Sequence, residues 1–243
     1  MNIYEGSCRI ESIQTVARET KKFQFRIGKY KSLDGSHEGE GSLDFQAGQF
    51  ISLKFTDKAW RAYSIASTAQ EELIELVIRI VPGGVGSTIL DEAKVDDEFT
   101  FKAPFGHFVR SENRDANLIF LGTGTGIAPL RSMIIEENRT EQPRSMKLFY
   151  GGRNADDIAY LDELEQWAPE HLTTRLGFSR DENATQVCGY SEHCRITKFI
   201  EEGDFNAQSE FYICGNGAMV KSVQEILEAK GVEKNRIFME RFN

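Results

Sequence analysis

The stretch Gly122-Thr-Gly-Thr-Gly-Ile-Ala-Pro-Leu130 decides the fold class. An apolar run, Asn117–Leu121, precedes it and predicts a buried strand, and a segment with apolar residues at helical spacing, Leu130–Asn138, follows it. Strand, glycine turn and helix in this order present unpaired N–H groups at the positive end of a helix dipole, where a phosphate is held. The dinucleotide fingerprint G-x-G-x-x-G is not met, because Ile127 or Pro129 would have to be glycine. The turn alone leaves a phosphate site and a ligand-free turn equally open.

The bulk composition narrows the class of protein. The chain has 243 residues, of which 40% are hydrophobic and 28% are charged, which suits one large or two ordinary globular domains. Its net charge of −9 gives no support for nucleic-acid binding, because such proteins neutralise phosphates with basic surface. We find no apolar run long enough to cross a membrane and no signal-peptide pattern, so we expect a cytoplasmic protein without membrane insertion.

The four cysteines, Cys8, Cys188, Cys194 and Cys214, are scattered and form no C-x-x-C pair. Zinc sites and iron–sulfur clusters use closely spaced cysteines, so neither is indicated. Cys188, His193 and Cys194 are near neighbours, but the local chain offers too few further ligands for a metal. We therefore predict no metal site.

The first half of the chain is predicted to form antiparallel β-structure. Apolar and polar residues alternate along five runs, as in half-buried strands: Cys8–Val16, Lys22–Ile27, Phe50–Phe55, Leu73–Val81 and Glu98–Lys102. Short strands with little helix suggest a closed or nearly closed barrel. Residues 28–42 are polar and rich in glycine and charge, and we expect a long, exposed and mobile loop there.

The second half changes to alternating strands and helices. Strand-like runs occur at Asn117–Leu121, Met146–Tyr150, Leu172–Leu176, Glu210–Cys214 and Ile237–Glu240. The clearest helix is Ala218–Lys230, which Gly231 is expected to cap. Alternation of this kind predicts an α/β domain with a parallel sheet, whose ligands bind at the carboxyl ends of the strands. The fold class is therefore a two-domain one, an antiparallel β-barrel followed by an α/β parallel-sheet domain, with the boundary after residue 112.

Two short motifs in the first half carry groups suited to a phosphorylated ring compound. In Arg61-Ala-Tyr63-Ser64, arginine offers a charged fork for phosphate, tyrosine a flat ring face and serine a small hydrogen-bonding group. The stretch Gly84-Val-Gly-Ser87-Thr88 is a second glycine turn before a short helical segment, and hence a second candidate phosphate site. Taken singly, the first motif also fits a plain strand and the second a β-turn.

Four motifs, in this order and spacing, resemble the ferredoxin–NADP reductase superfamily, and the resemblance covers essentially the whole chain. They are Arg61-x-Tyr63-Ser64, Gly84-x-x-Ser87, the turn Gly122–Pro129, and Cys214-Gly215 after a strand. The resemblance implies an FAD-binding β-barrel domain at residues 1–112 and an NADP(H)-binding α/β domain at residues 113–243.

For the flavin, the resemblance implies that Arg61 pairs with the phosphate, Tyr63 packs against the isoalloxazine ring, and Ser64 hydrogen-bonds near its N5. The turn residues that would wrap the pyrophosphate are Gly84, Ser87 and Thr88. A pyrophosphate turn favours FAD over FMN. In many members an aromatic residue near the C-terminus covers the flavin; Phe242 is the matching residue here, and simple packing of a terminal strand is equally open.

For the nucleotide, the resemblance assigns the glycine turn, whose residues are Gly122, Thr123, Gly124 and Thr125. Cys214 would face C4 of the nicotinamide, or else be a buried core cysteine, and Glu240 would help proton transfer. The side chains expected to hold the adenosine 2′-phosphate are those of Ser179, Arg180 and Arg195. Two arginines suit a dianion, which favours NADP(H) over NAD(H), although exposed arginines are common on any surface.

The resemblance implies hydride transfer between nicotinamide and flavin, and single-electron transfer to or from a separate ferredoxin or flavodoxin. Two alternatives stay open: an NAD(P)H-dependent reductase component of an oxygenase or other multi-protein electron-transfer system, and a non-enzymatic flavin-binding subunit with a regulatory or docking role. Five cations form either a docking patch for an acidic carrier or a solvated strand edge: Lys21, Lys22, Arg26, Lys29 and Lys31.

Overall fold

The computed structural model describes residues 2–168, 170–184 and 190–242, so Cys188 lies outside the described residues. The chain divides into two compact units, Met1–Arg110 and Ser111–Asn243, which we call the barrel unit and the parallel-sheet unit. The sequence places this boundary after residue 112. Each unit has its own hydrophobic core.

Within residues 2–110, the barrel unit contains seven strands and one helix. Their bounds are β1 (Tyr4–Ala17), β2 (Thr20–Ser32), β3 (Glu38–Gly41), β4 (Phe50–Thr56), β5 (Ala59–Ser64), β6 (Ile74–Arg79), α1 (Val85–Glu92) and β7 (Glu98–Phe105).

The strands of the barrel unit form one antiparallel sheet that closes on itself. In the order β6-β2-β1-β7-β4-β5 each strand is hydrogen-bonded to the next. An isolated bridge between Ile65, just after β5, and Leu76 on β6 joins the two ends. β3 pairs with the later part of β2. The predicted antiparallel β-barrel is confirmed.

Alternation along the strands places every second side chain in the barrel core. Phe23 and Phe25 on β2, Ile51 and Leu53 on β4, and Phe101 on β7 have no exposed surface. Burial of a side chain of this size stabilises the fold by about 1.5–3 kcal/mol. The core therefore fixes which face of each strand is left for a ligand.

The expectation of a long loop at residues 28–42 is wrong. β2 continues to Ser32 and β3 begins at Glu38, so only residues 33–37 connect them. Tyr30 explains the difference: its ring packs edge-on against Tyr4 at a centroid distance of 5.1 Å. Tyr30 is also paired with a glycine on each neighbouring strand, one on β1 and one on β3. Glycines that indicate a loop by composition here leave room for a cross-strand aromatic ring.

The parallel-sheet unit alternates strands and helices. The bounds are β8 (Leu118–Thr123), α2 (Ile127–Asn138), β9 (Met146–Gly152), β10 (Leu172–Phe178), β11 (Ser191–Glu192), α3 (Thr197–Glu201), β12 (Glu210–Asn216), α4 (Gly217–Ala229) and β13 (Ile237–Phe242). Short 3-10 turns lie at Gly124–Gly126, Ala155–Asp157, Leu164–Gln166 and Lys234–Arg236.

The strands of this unit form a parallel sheet in the order β11-β10-β9-β8-β12-β13, which confirms the predicted α/β domain. The inner face of α4 carries Val220, Val223 and Leu227, all fully buried, as their spacing predicts. Gly231 follows the helix with a φ of +83°, the left-handed conformation of a glycine cap.

Two kinds of feature are absent from the described part of the chain. Among these residues no helix is long and apolar enough to cross a membrane. Within the same ranges, no three His, Cys, Asp or Glu side chains gather closely enough to hold a metal ion.

Candidate functional site

The strand order of the parallel-sheet unit reverses between β8 and β12. From β8 the chain adds β9 and β10 on one side, then returns to place β12 on the other. A crevice at the carboxyl ends of the strands forms at such a switch point, and ligands of α/β sheets bind there. Gly122 near the end of β8 lies beside Cys214 near the end of β12. Two motifs far apart in sequence therefore meet at the expected ligand-binding edge.

The glycine turn at the end of β8 packs directly on the end of β12. A Cβ at Gly126 would lie 2.5 Å from the carbonyl carbon of Cys214 and 2.8 Å from the Cα of Gly215, so only glycine fits. The N–H of Asn216 donates to the Thr123 hydroxyl at 3.3 Å. The predicted strand, turn and helix are present, with a 3-10 turn at Gly124–Gly126 before α2.

Tyr150 on β9 touches this turn and was missed by sequence reasoning. Its hydroxyl donates to the Gly124 carbonyl at 2.9 Å and accepts from the Ala159 N–H at 3.2 Å. Burial raises the pKa of the phenol, so the hydroxyl keeps its proton and remains a donor. In the sequence Tyr150 is one more large residue of a buried strand, and no local signal shows what its hydroxyl contacts.

Cys214 and Glu240 face each other at the same edge. They are paired in the parallel register of β12 and β13, and Sγ lies 4.0 Å from Oε2. Cys214 has no exposed surface. Burial, and secondly the Glu240 charge, raise the pKa of the thiol well above its usual value, so it is neutral at physiological pH. Phe242 pairs with Asn216 further along and is half-buried.

Three exposed arginines follow three neighbouring strands of this sheet: Arg153 after β9, Arg180 after β10 and Arg195 after β11. The N–H of Arg180 donates to the Arg153 carbonyl at 2.8 Å, and the N–H of Ser179 donates to the Gly152 carbonyl at 3.1 Å. The backbone thus ties the ends of β9 and β10 together. The sequence motifs did not indicate Arg153 as a site residue, although the glycine pair before it marks the end of an apolar strand.

In the barrel unit, the Arg61-x-Tyr63-Ser64 motif lies on β5. The Tyr63 ring is half-buried and meets Phe55 edge-on at 6.2 Å. Burial raises the pKa of Tyr63 to about 12, with the nearby Arg61 charge opposing the shift. Arg61 is exposed and donates to the Trp60 carbonyl at 2.8 Å, and Ser64 is buried. The motif therefore offers a neutral phenol ring beside a solvent-facing cation.

The second glycine turn lies against this motif. Gly84 is the N-cap of α1 and, being glycine, has no side chain to cap the helix. A Cβ at Gly86 would lie 2.7 Å from the Tyr63 hydroxyl oxygen, so α1 packs closely on β5. Ser87 lies in the first turn, and the Thr88 N–H donates to the Gly84 carbonyl at 2.9 Å. The structure brings the two barrel motifs together, with an uncapped helix start suited to a phosphate.

The basic residues of β2 do not form a purely positive surface. The Lys21 ammonium lies 2.7 Å from the Asp91 carboxylate, and the Arg26 guanidinium lies 2.9 Å from that of Glu11. Two further cations lie opposite acids in the β3 register, in the pairs Lys29 with Glu40 and Lys31 with Glu38. A charge-balanced surface of this kind gives little steering to an acidic protein.

Two domain families together match most of the chain. Residues 7–109 match the family described as oxidoreductase FAD-binding domain, and residues 120–225 match the family described as oxidoreductase NAD-binding domain. A domain of each kind in one chain defines a flavoprotein oxidoreductase of the ferredoxin reductase type. The chain belongs to the ferredoxin–NADP reductase superfamily, which confirms the resemblance seen in the sequence.

Similar curated proteins include one subunit of the Na(+)-translocating NADH-quinone reductase of Idiomarina loihiensis, 28% identical over 99% of this chain and 68% of that protein. The reductase component of propane 2-monooxygenase from Mycolicibacterium smegmatis is 31% identical over 83% of this chain and 60% of that protein. The chain spans between 56% and 68% of the length of relatives of these kinds.

Solved structures share the fold over the whole chain. The Amycolatopsis cytochrome P450 reductase GcoB has a TM-score of 0.84 at 24% identity, with 100% of this chain and 71% of that chain covered. A ferredoxin NADP+ reductase from Neisseria gonorrhoeae with bound FAD and NADP has a TM-score of 0.79 at 20% identity, with 98% of each chain covered.

Proposed function

We propose that the protein is an FAD-dependent oxidoreductase that passes a hydride between NADP(H) and the flavin, and single electrons to or from a separate carrier protein. One observation carries the proposal: the Gly122–Gly126 turn and Cys214 meet at the switch point of the sheet. This nucleotide edge belongs to a chain whose other unit has the fold and the motifs of an FAD-binding domain.

The barrel unit fits FAD. The exposed Arg61 guanidinium suits a phosphate, and the half-buried Tyr63 ring suits a flat ring system. The uncapped start of α1 suits a second phosphate group, and its residues Gly84, Ser87 and Thr88 suit a pyrophosphate. Ser64 would hydrogen-bond near N5. When bound, FAD supplies the conversion between two-electron and one-electron transfer.

The parallel-sheet unit fits a nicotinamide nucleotide. We assign its phosphates to the turn residues Gly122, Thr123, Gly124 and Thr125. The Cys214 thiol is fully buried, so it would influence the approach of the nicotinamide ring from beneath the surface of this edge, as a neutral group that places no negative charge beside the ring. The Glu240 carboxylate accepts a hydrogen bond from the thiol and so orients the S–H group. Phe242 would cover the flavin.

The choice of NADP(H) rests on the charge at the ends of β10 and β11. Arg180 and Arg195 are exposed, and within the described residues neither has a carboxylate partner. Together with Ser179, they would bind the adenosine 2′-phosphate, and Arg153 adds a third cation at this edge. NADH is the second candidate, because the Idiomarina relative is named for NADH.

The proposed acceptor is a ferredoxin or a flavodoxin. A second candidate function is the reductase component of an oxygenase, because the Mycolicibacterium relative has that name and the β2 surface is charge-balanced. A flavin-binding subunit without reductase activity is the third interpretation, and its signature is bound flavin that neither nucleotide reduces.

Anaerobic reduction tests the proposal. The purified protein is loaded with FAD, and NADPH or NADH is added in separate cuvettes while the flavin absorbance is followed. Fast bleaching by NADPH is the expected result. Faster bleaching by NADH would refute the assignment of the 2′-phosphate site but would leave the proposed reductase activity intact. A protein that binds no FAD, or is reduced by neither nucleotide, overturns the proposed function. Reoxidation by ferredoxin, flavodoxin or an oxygenase component then distinguishes the acceptors.

A further inference from the structure

The carbonyl of Gly124 is held from two sides. It accepts the N–H of Ile127, at the start of α2, and the hydroxyl of Tyr150 at 2.9 Å. Gly124 itself has a φ of +55°, a conformation that only glycine adopts readily. The Tyr150 hydroxyl and the Ile127 N–H together therefore hold one peptide plane of the turn, at a glycine whose backbone is otherwise permissive.

Fixing this carbonyl also aims the next N–H. In a trans peptide, the C=O of one residue and the N–H of the next lie in one plane and point in opposite directions. The Gly124 carbonyl points inward to Tyr150, so the N–H of Thr125 in the same peptide points away from Tyr150.

Tyr150 is itself held firmly. Its side chain is fully buried, and its hydroxyl accepts the Ala159 N–H at 3.2 Å. The segment that carries Ala159 is fastened to α2, because the Arg131 guanidinium lies over the Tyr160 ring at 5.1 Å and over the Trp167 ring at 5.7 Å. The support behind the hydroxyl is thus tied to the helix that the turn begins.

We propose that Tyr150 is a positioning residue for the nucleotide: its hydroxyl holds the Gly124–Thr125 peptide so that the N–H of Thr125 is aimed at the pyrophosphate. This inference rests on the proposed function of the same turn. According to this inference, the buried Tyr150 hydroxyl contributes to nucleotide affinity and has no role at the flavin site of the barrel unit.

The test compares Tyr150→Phe with Tyr212→Phe. Tyr212 is a matched control, because it is also fully buried in the sheet and its hydroxyl both donates to Glu210 at 2.8 Å and accepts the Ser111 N–H at 2.9 Å. Each variant keeps the ring and leaves one backbone N–H without its acceptor, so the two should lose comparable stability. Thermal unfolding of both variants measures that shared cost.

The readout is the binding of ADP-ribose, which keeps the pyrophosphate but lacks the nicotinamide, by titration calorimetry. Tyr150→Phe should weaken ADP-ribose about three- to tenfold, the range expected for one hydrogen bond, and Tyr212→Phe should leave it unchanged. AMP, which has no pyrophosphate, should bind both variants as it binds the wild type. The limiting rate of flavin reduction at saturating nucleotide should change less than about twofold.

Equal ADP-ribose affinity in Tyr150→Phe and the wild type overturns the inference, as does an equal loss in both variants. Calorimetry does not depend on hydride transfer, so the two proposals fail separately. A wild-type protein that binds ADP-ribose but is reduced by neither nucleotide overturns the proposed function, while the comparison of the variants still decides the role of Tyr150.

Discussion

The Sγ of Cys214 lies 4.0 Å from Oε2 of Glu240, and the two residues are directly paired in the register of β12 and β13. A buried thiol beside a carboxylate resists ionisation for two reasons: the thiolate would lose its hydration, and it would be repelled by the neighbouring charge. The thiol therefore keeps its proton at the candidate nucleotide edge and donates a long hydrogen bond to the Glu240 carboxylate.

Alkylation should detect this neutral thiol. In the folded protein, we expect iodoacetamide to label Cys194, which is half-exposed, well before Cys214 at every pH from 7 to about 9. Because the folded pKa of Cys214 lies above its unfolded value of 9.0, its contribution to stability is present below pH 9 and is lost as the pH rises towards the folded pKa. Glu240→Gln should leave the labelling slow, because burial is the larger cause. Mass spectrometry measures the labelling of each cysteine over time. Fast labelling of Cys214 at pH 7 would contradict this description.

Ser64→Ala should slow flavin reduction more than it weakens nucleotide binding. If the Ser64 hydrogen bond near N5 strengthens in the transition state, its loss lowers the limiting rate by about two- to tenfold with little change in the nucleotide KM. Stopped-flow reduction under anaerobic conditions separates the two parameters. Rates equal to those of the wild type would remove Ser64 from the mechanism.

Arg180→Ala and Arg195→Ala should affect NADPH and spare NADH. Loss of one hydrogen bond between charged groups costs about 1.5–3 kcal/mol, so each change should raise the KM for NADPH by about ten- to a hundredfold. NADH has no 2′-phosphate and serves as the internal control in the same preparation. An equal loss with both nucleotides, or none with either, would show that these arginines do not read the 2′-phosphate.

Gly126→Ala should damage the nucleotide edge. The added Cβ would lie 2.5 Å from the Cys214 carbonyl carbon, so the turn or the end of β12 must move, at a cost of about 1–3 kcal/mol in stability. Gly217→Ala is the matched control, because a Cβ there meets no heavy atom within 4 Å at the start of α4. Gly126→Ala alone should lower the midpoint of thermal unfolding and raise the KM for the nucleotide. Identical behaviour of the two variants would refute the close packing.

Glu137→Ala should destabilise the parallel-sheet unit. The Glu137 side chain has no exposed surface and lies 2.6 Å from the Arg144 guanidinium, with the Arg144 N–H donating to the same carboxylate at 3.0 Å. Removing one partner of a buried ion pair costs about 3–5 kcal/mol, because the other charge is left buried. Glu141→Ala, on the exposed surface nearby, should change stability by less than about 0.5 kcal/mol in the same urea titration. A small effect of Glu137→Ala would mean that water replaces the carboxylate as the hydrogen-bonding partner of the Arg144 guanidinium.

Several features could be predicted from local sequence because local physics produces them. Alternation with period two gave the strands of the barrel, and the spacing of Val220, Val223 and Leu227 gave the buried face of α4. The loop predicted at residues 28–42 is wrong for the opposite reason: the room that glycines leave around Tyr30 depends on the strands that pair with it. The roles of the individual site residues stay predictions.

The sequence by itself determined the two-domain class and its superfamily, because the order of strands, glycine turns and helices is written in short-range patterns and in the spacing of four motifs. Only the tertiary structure decided which distant groups meet. It placed Cys214 beside Glu240 and the glycine turn, and it brought the Tyr150 hydroxyl to the Gly124 carbonyl. A hydrogen bond between residues on different strands depends on the register and order of the sheet, which local periodicity does not encode.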